Sequence, residues 1–273
     1  MCRLEPGRLV AYRKTVLLFK RILNFTKAGV SRGEKRKAQR YEVGHPFPFK
    51  AVLTLLGQDS EGRTTGSTDS GVDWAGRLAN LSSTGASIQL HSAATGARGG
   101  RCILRFTRDN YTLKIPGTIA YCRAYPQYML CGFSYTFPDF ETQKAYLQLL
   151  EPVSIGAALS PVDAKKVKQE GDGLVKEQFK GPADALLTIS RQPTGSALRN
   201  FDFRMNDYGV RWSEGMAKVE PYSTPGGAKA AASPGLLTAA QIEEVRWLFC
   251  LAVPNLAKTV PSDVRKQLAR LVA

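Results

Sequence analysis

The feature that most constrains the fold is a series of short β-rich segments between residues 47 and 136. Six runs rich in Val, Ile, Leu, Phe and Tyr alternate with turn residues, at 47–56, 72–79, 86–91, 101–107, 112–124 and 128–136. Several short strands at close spacing are typical of a sandwich or a barrel. The stretch 57–71 consists almost entirely of turn and linker residues, so it predicts a loop between the first two strands.

A helix is expected directly after the sixth strand. Residues 138–151 begin with a capping residue, Asp139, and contain apolar side chains that can face inward, namely Phe140, Ala145, Leu147 and Leu150. Six strands followed by one helix predict a small closed barrel that the helix plugs or flanks. The expected fold class is therefore mainly β.

The rest of the chain predicts a smaller α+β region whose type the sequence does not identify. Residues 152–180 have the composition of a linker, 183–191 and 201–212 resemble strands, and 221–235 resemble a loop. A capping box formed by Thr238 and Gln241 opens a helix that Pro254 ends, and Ser262 is expected to cap a last helix. These are packing signals, and none of them indicates chemistry.

Positive charge is concentrated at the N-terminus. Residues 1–50 hold 13 basic and 3 acidic side chains, so they carry +10 of the total net charge of +15. Residues 8–27 predict a basic amphipathic helix, which can lie on an anionic membrane surface or pack on the protein's own body. A basic arm of this kind attracts phosphates, whether of nucleic acid, lipid or nucleotide.

The sequence argues against a metal site, a cofactor and an enzyme. The five cysteines, Cys2, Cys102, Cys122, Cys131 and Cys250, form no CxxC pair, and the two histidines, His45 and His91, have no zinc-ligand spacing. Neither histidine lies in a nucleophile–base arrangement, and the chain has no phosphate-binding loop motif. Free cysteines in apolar runs fit a reducing compartment, so a cytoplasmic protein is expected.

Two short motifs carry the chemistry. Arg36 and Arg40 form an RxxxR just before the first strand, and Asn80, Ser82 and Gly85 form an NxSxxG between the second and third candidate strands. A guanidinium can pair with a phosphate or with the O6/N7 edge of guanine. The Asn80 amide offers a donor and an acceptor to a base edge, Ser82 adds a hydroxyl, and Gly85 permits positive φ or close backbone approach. Each motif alone is common, as a charge run or an ordinary turn.

The order of these features resembles the PilZ domain family, which binds cyclic di-GMP. The resemblance covers residues 33–151 and rests on Arg36 and Arg40, on the NxSxxG within GRLANLSSTGASIQL, and on the closing strand and helix in LCGFSYTFPDFETQKAYLQLL. It implies a six-stranded antiparallel barrel with a C-terminal helix. The chain is then divided into four parts. A basic amphipathic segment spans 1–32 and the barrel spans 33–151. A linker spans 152–180 and the α+β region spans 181–273.

The resemblance also implies a function. Cyclic di-GMP would bind to Arg36, Arg40, Asn80, Ser82 and Gly85, and the arginine-bearing segment would fold over the barrel and act as a conformational switch. A protein partner is expected, and peripheral contact with the inner membrane through residues 8–27 stays open. The alternatives are a basic β-barrel that binds single-stranded nucleic acid, which the scattered aromatic residues disfavour, and a ligand-free interaction module.

Overall fold

The computed structural model describes residues 38–57, 71–171, 173–194, 197–224 and 237–272. The first sheet contains β1 (Arg40–Glu42), β2 (Lys50–Leu56), β3 (Gly71–Ser82), β4 (Gly85–Leu90), β5 (Arg101–Arg108), β6 (Tyr111–Ala124) and β7 (Met129–Tyr135), and α1 (Phe140–Ala157) follows it. The second sheet contains β8 (Ser160–Pro161), β9 (Val175–Lys180), β10 (Leu186–Arg191), β11 (Leu198–Met205), β12 (Tyr208–Ser213) and β13 (Glu220–Ser223). Helices α2 (Ala239–Ala252) and α3 (Ser262–Val272) end the chain. The predicted helix at 8–27 and most of the predicted loop at 57–71 lie outside the described residues.

The first sheet closes into a six-stranded antiparallel barrel, as the sequence predicts. Its strands are hydrogen-bonded in the order β3-β2-β5-β6-β7-β4, and β4 pairs in turn with β3. The first half of β3 pairs with β2, and its second half pairs with β4. The short strand β1 lies outside this ring, because it pairs with residues 80–82 of β3 beyond the point where the pairing with β2 has ended.

The barrel interior is filled by alternate residues of its strands. Leu53 of β2, Leu104 of β5 and Leu113 of β6 are fully buried, whereas their immediate neighbours in sequence are partly or wholly exposed. A period of two is what a strand with one buried face requires, and it fixes the register of the barrel. A bulge between Leu78 and Asn80 shifts the register of β3, and Leu81 beyond it is fully buried inside, so Asn80 and Ser82 face outward.

Helix α1 begins where the sequence predicts and continues further. The Asp139 side chain caps it by accepting a hydrogen bond from Thr142 N at 2.6 Å. The inward positions Ala145 and Leu150 are buried, and Leu147 packs against the core, but Phe140 is 71% exposed, so the prediction of an inward Phe140 is wrong. Phe140 is the first residue of the helix, where the side chain lies beyond the barrel surface that the later turns cover.

The predicted linker at 152–180 is also corrected by the structure. Proline usually ends a helix, yet Pro152 lies inside α1, which continues to Ala157 because Val153 and Ile155 are buried beyond it. Strand β9, at the end of the same stretch, pairs with β10 along its whole length. Both ends of the stretch 152–180 thus belong to regular structure.

The second sheet is antiparallel throughout, in the order β13-β12-β11-β10-β9-β8. The segment 201–212, predicted as one strand, forms the hairpin of β11 and β12, which turns at Asn206 with a φ of 49°. Asparagine tolerates this left-handed conformation better than most residues do. The capping box of Thr238 and Gln241 at the start of α2 is confirmed, and Phe249 of α2 packs on Phe203 of the sheet with ring centroids 5.0 Å apart.

The end of α1 joins the barrel to the C-terminal helices. A Cβ atom on Gly156 would meet the Ala252 carbonyl oxygen at 2.5 Å, so α1 and α2 approach closely at this point. Ala257 N donates a hydrogen bond to Gly156 O at 2.9 Å, and Thr259 Oγ1 donates to Leu159 O at 2.9 Å. One continuous apolar core runs through both sheets. Among the described helices, none has the length and apolar character needed to cross a membrane.

Candidate functional site

Strand β1 brings one of the predicted arginines to the NxSxxG motif. In the antiparallel pairing of β1 with β3, Arg40 is opposite Ser82 and Glu42 is opposite Asn80. Directly opposed residues of two antiparallel strands point to the same face of the sheet. Arg40, Asn80 and Ser82 therefore share the outer face of the barrel, while Arg36 lies outside the described residues.

The pairing of β3 with β4 extends this face to a third strand. Ser82 is opposite Gly85, and Asn80 is opposite Ser87. We call the resulting surface the polar strip, and it is formed by Arg40, Glu42, Asn80, Ser82, Gly85 and Ser87. Three adjacent strands are about 10 Å wide, and residues two positions apart on one strand are separated by about 6.8 Å. The structure thus brings Arg40, Asn80, Ser82 and Gly85 together on one surface.

Ser82 and Gly85 of the NxSxxG motif also stabilise the tight turn from β3 to β4. The Ser82 hydroxyl donates a hydrogen bond to Gly85 O at 2.9 Å and accepts one from Thr84 N at 3.4 Å. Gly85 has no positive φ, but a Cβ atom there would meet the Phe133 carbonyl oxygen of β7 at 2.3 Å. Of the two reasons for a glycine that the sequence left open, close backbone approach is the one that applies.

A buried tyrosine of α1, which sequence reasoning missed, donates a hydrogen bond to the backbone of this turn. Tyr146 is fully buried, and its hydroxyl donates to Ser82 O at 2.7 Å while accepting from the Tyr135 hydroxyl at 3.0 Å. Burial raises the pKa of Tyr146 above its usual value, so the hydroxyl keeps the proton that it donates. The helix therefore fixes the backbone of the polar strip at Ser82.

Ser87 is a second member of the site that sequence reasoning missed. Its side chain is 2% exposed, and no hydrogen-bond partner for its Oγ exists within the described part of the chain. Most buried hydroxyls in proteins are hydrogen-bonded, so an unpaired one beside Asn80 is a candidate ligand contact. No sequence signal identified Ser87, because its place next to Asn80 follows only from the strand register.

An aromatic–cation stack borders the polar strip on β6 and β7. Gly132 is opposite Ser87, and the ring of Tyr121 lies over Gly132, where a Cβ atom would meet the ring at 2.2 Å. The Arg123 guanidinium lies 5.2 Å from the centroid of the same ring. Arg123 is exposed, so it adds a further guanidinium near the strip.

The electrostatic character of the strip is set by exposed groups. Arg40 is exposed and has no ion-pair partner within the ranges that the structure describes. Glu42 lies 3.6 Å from Lys258, but both side chains are more than four-fifths exposed, so this pair contributes little. The Arg40 guanidinium is thus open to an anionic ligand.

Both histidines contact nearby backbone groups. His45 Nε2 lies 3.3 Å from Leu78 O, and burial together with the Arg77 charge lowers the pKa of His45. His91 Nδ1 accepts a hydrogen bond from Ala93 N at 3.2 Å. Within the described ranges, no three His, Cys, Asp or Glu side chains come together as metal ligands.

Comparison with known proteins identifies the barrel. The family model of the PilZ domain matches residues 34–151. One solved structure, described as the PilZ domain of CeSA from a cellulose-synthesizing bacterium, is 17% identical, with a TM-score of 0.27, and the match covers 41% of this chain and 93% of that chain. No curated protein matches the chain. The matched residues 34–151 hold the barrel and most of α1, so this part of the chain is similar to PilZ domains, which are ligand-binding, non-catalytic modules that generally bind cyclic di-GMP.

Proposed function

We propose that this protein is a cyclic di-GMP receptor whose ligand binds at the polar strip. The observation that carries the proposal is the strand register, which sets Arg40 opposite Ser82 and Asn80 opposite Ser87 on one outer face. Arg40 of one motif and Asn80 and Ser82 of the other, about forty residues apart in the sequence, thus lie on a single surface. Neither motif alone distinguishes a ligand site from a charge run or a turn.

The residue types of the strip suit a guanine nucleotide with phosphates. The Arg40 guanidinium pairs with a phosphate or with the O6/N7 edge of guanine, in both cases through two parallel hydrogen bonds. The Asn80 amide reads a base edge, and the Ser87 hydroxyl offers one more donor or acceptor. Arg36, four residues before Arg40, adds the second guanidinium that the RxxxR motif supplies.

The strand that carries Arg40 also contacts the C-terminal region. Gly44 N, two residues after β1, donates a hydrogen bond to Asn255 Oδ1 at 2.7 Å. A Cβ atom on Gly44 would meet the Pro254 carbonyl oxygen at 1.8 Å, so the two backbones are in direct contact. A ligand that binds Arg40 therefore changes the position of β1, and the contact at Gly44 transmits this change to the C-terminal region. This coupling is the basis of the proposed switch.

Titration calorimetry of the full chain tests the proposal. Three ligands are compared in one buffer, namely cyclic di-GMP, cyclic di-AMP and a short single-stranded oligonucleotide. Cyclic di-AMP is the matched control, because it keeps the two phosphates and lacks the O6 acceptor of guanine. We expect saturable binding of cyclic di-GMP and about 5- to 150-fold weaker binding of cyclic di-AMP, since a lost bidentate base contact costs about 1–3 kcal/mol.

Two outcomes would reject the assignment. Absence of binding heat with cyclic di-GMP, in protein whose folding is verified by circular dichroism, would show that this PilZ domain is not a receptor. Tighter binding of the oligonucleotide, with an affinity that falls steeply with salt, would favour the nucleic-acid alternative.

A further inference from the structure

Two cysteines face each other across neighbouring strands of the barrel. Cys122 of β6 and Cys131 of β7 are directly opposed, and their Sγ atoms are 2.8 Å apart. Directly opposed residues of antiparallel strands have Cα atoms about 4.5–5.5 Å apart, which lies within the range that a disulfide spans. A covalent bond of about 2.05 Å would shorten the Sγ–Sγ separation by less than about 1 Å.

The two sulfur atoms differ in accessibility and in acidity. Cys122 is half-buried, whereas Cys131 is fully buried. A hydrogen bond between the two thiols lowers the pKa of Cys122 and raises the pKa of Cys131. Because the thiolate is the reactive form, Cys122 is the sulfur that meets an oxidant, and Cys131 is the neighbour that keeps its proton.

The other described cysteines lack this arrangement. Cys102 is buried, and its burial raises its pKa to about 12. Cys250 donates its thiol hydrogen to Val272 O at 3.2 Å, and burial raises the pKa of Cys250 as well. Both therefore remain thiols under conditions in which Cys122 ionises in part.

We propose that Cys122 and Cys131 are an oxidation site, at which a peroxide converts the opposed pair into an intrachain disulfide. The Cys122 thiolate attacks one peroxide oxygen, which breaks the O–O bond and gives a sulfenic acid and hydroxide. The Cys131 sulfur then attacks Cys122 Sγ and displaces hydroxide, which leaves as water with the Cys131 proton. Two thiols and one hydrogen peroxide thus give one disulfide and two molecules of water.

The location of the link connects it to the polar strip. Cys131 is adjacent to Gly132, which is opposite Ser87, and lies two residues before Phe133, whose carbonyl oxygen lies against Gly85. Oxidation therefore links β6 covalently to β7, the strand whose Phe133 carbonyl contacts Gly85 of the polar strip. The site stands independently of the proposed ligand, since only the two thiols and the oxidant take part.

Peptide mapping of the full-length protein tests the proposal. The reduced protein is treated with limiting hydrogen peroxide, its remaining thiols are alkylated, and it is digested with trypsin without reduction. Trypsin cleaves after Arg123, so the two cysteines fall in different peptides, 115–123 and 124–144. We expect these two peptides to be joined, with a combined mass lower by two hydrogen atoms, and to separate after treatment with dithiothreitol.

Matched variants show which sulfur reacts first. In Cys131→Ala the link is lost, and Cys122 is trapped as a sulfenic acid by dimedone, whereas Cys250→Ser links like the wild type. Cys122→Ser, at the half-buried position, removes both the link and the dimedone adduct. The proposal is overturned if wild-type Cys122 and Cys131 are both recovered alkylated while other cysteines are oxidised. A link that joins either one to Cys2, Cys102, Cys250 or a second chain also overturns it.

Discussion

At the scale of single residues, removal of the buried Ser87 hydroxyl should affect stability and ligand affinity differently. A buried hydroxyl without a partner destabilises the folded state, so its removal is neutral or favourable. We predict that Ser87→Ala leaves the free energy of unfolding unchanged or raises it by up to about 1 kcal/mol, and weakens cyclic di-GMP binding about three- to tenfold. Urea unfolding and calorimetry measure the two effects. Loss of stability together with unchanged affinity would show that Ser87 serves packing instead of the ligand.

The hydroxyl of Tyr146 has the opposite role, since it holds the structure beneath the site. Tyr146→Phe leaves the Ser82 carbonyl and the Tyr135 hydroxyl without their buried partner. We predict a loss of about 1–3 kcal/mol in the free energy of unfolding, measured by urea denaturation. Tyr125→Phe is the control, because Tyr125 is 40% exposed and its loss should change stability by less than about 0.5 kcal/mol. Equal effects of the two substitutions would contradict the role given to Tyr146.

At the scale of elements, the segment that follows β1 contacts the turn after α2, and the proposed switch depends on this contact. Asn255 accepts from Gly44 N, and its amide also donates to Leu251 O at 2.6 Å. We predict that Asn255→Ala costs about 1–3 kcal/mol of unfolding free energy and speeds amide exchange at Gly44. Hydrogen exchange read by mass spectrometry or NMR detects this change.

The matched control for that prediction is Lys258→Ala. It removes only the exposed pair with Glu42, so exchange at Gly44 should stay at the wild-type rate. If Asn255→Ala also left this exchange unchanged, the contact between β1 and the C-terminal region would not hold the strand in place.

The elements also show how far sequence patterns predict the structure. The six barrel strands were predictable because short runs rich in Val, Ile, Leu, Phe and Tyr alternate with turn residues, and α1 was predictable from its cap at Asp139. Strand β9 was missed because Phe179 is its only fully buried residue, so it lacks the alternation of a half-buried strand. The end of α1 was missed because Pro152 signals a helix boundary, whereas tertiary packing of Val153 and Ile155 continues the helix.

The candidate site was predictable only in part, for a related reason. Motif spacing identified Arg40, Asn80, Ser82 and Gly85 as a group, and the register then set these residues side by side. The contributions of Ser87 and Tyr146 depend on which residues face each other across strands and between helix and barrel. That information arises from long-range pairing, and no local pattern contains it.

At the scale of the whole molecule, a buried carboxyl on α1 links stability to pH. Burial raises the pKa of Glu151 from its ordinary value of 4.5 to about 7. Because the folded state then binds more protons than the unfolded state, the free energy of unfolding falls as the pH rises from about 4.5 to 7. We predict that Glu151→Gln removes this component, which is at most about 3 kcal/mol.

Urea denaturation of wild type and Glu151→Gln at pH 5 and at pH 8 measures that component. The variant should gain stability relative to the wild type at pH 8, and the difference between the two proteins should shrink at pH 5. A constant difference at both values would show that Glu151 has the same pKa in the folded and unfolded states.

The whole account depends on one ligand that contacts β1 and β3 together, and calorimetry of strip variants with cyclic di-GMP tests it most directly. We predict that Arg40→Ala and Asn80→Ala each weaken binding by about 10- to 100-fold, since a charge-assisted or bidentate hydrogen bond contributes about 1.5–3 kcal/mol. Arg36→Ala should have a similar effect, and Arg270→Ala, an exposed arginine on α3, should bind like the wild type. Wild-type affinity in both Arg40→Ala and Asn80→Ala would contradict the account.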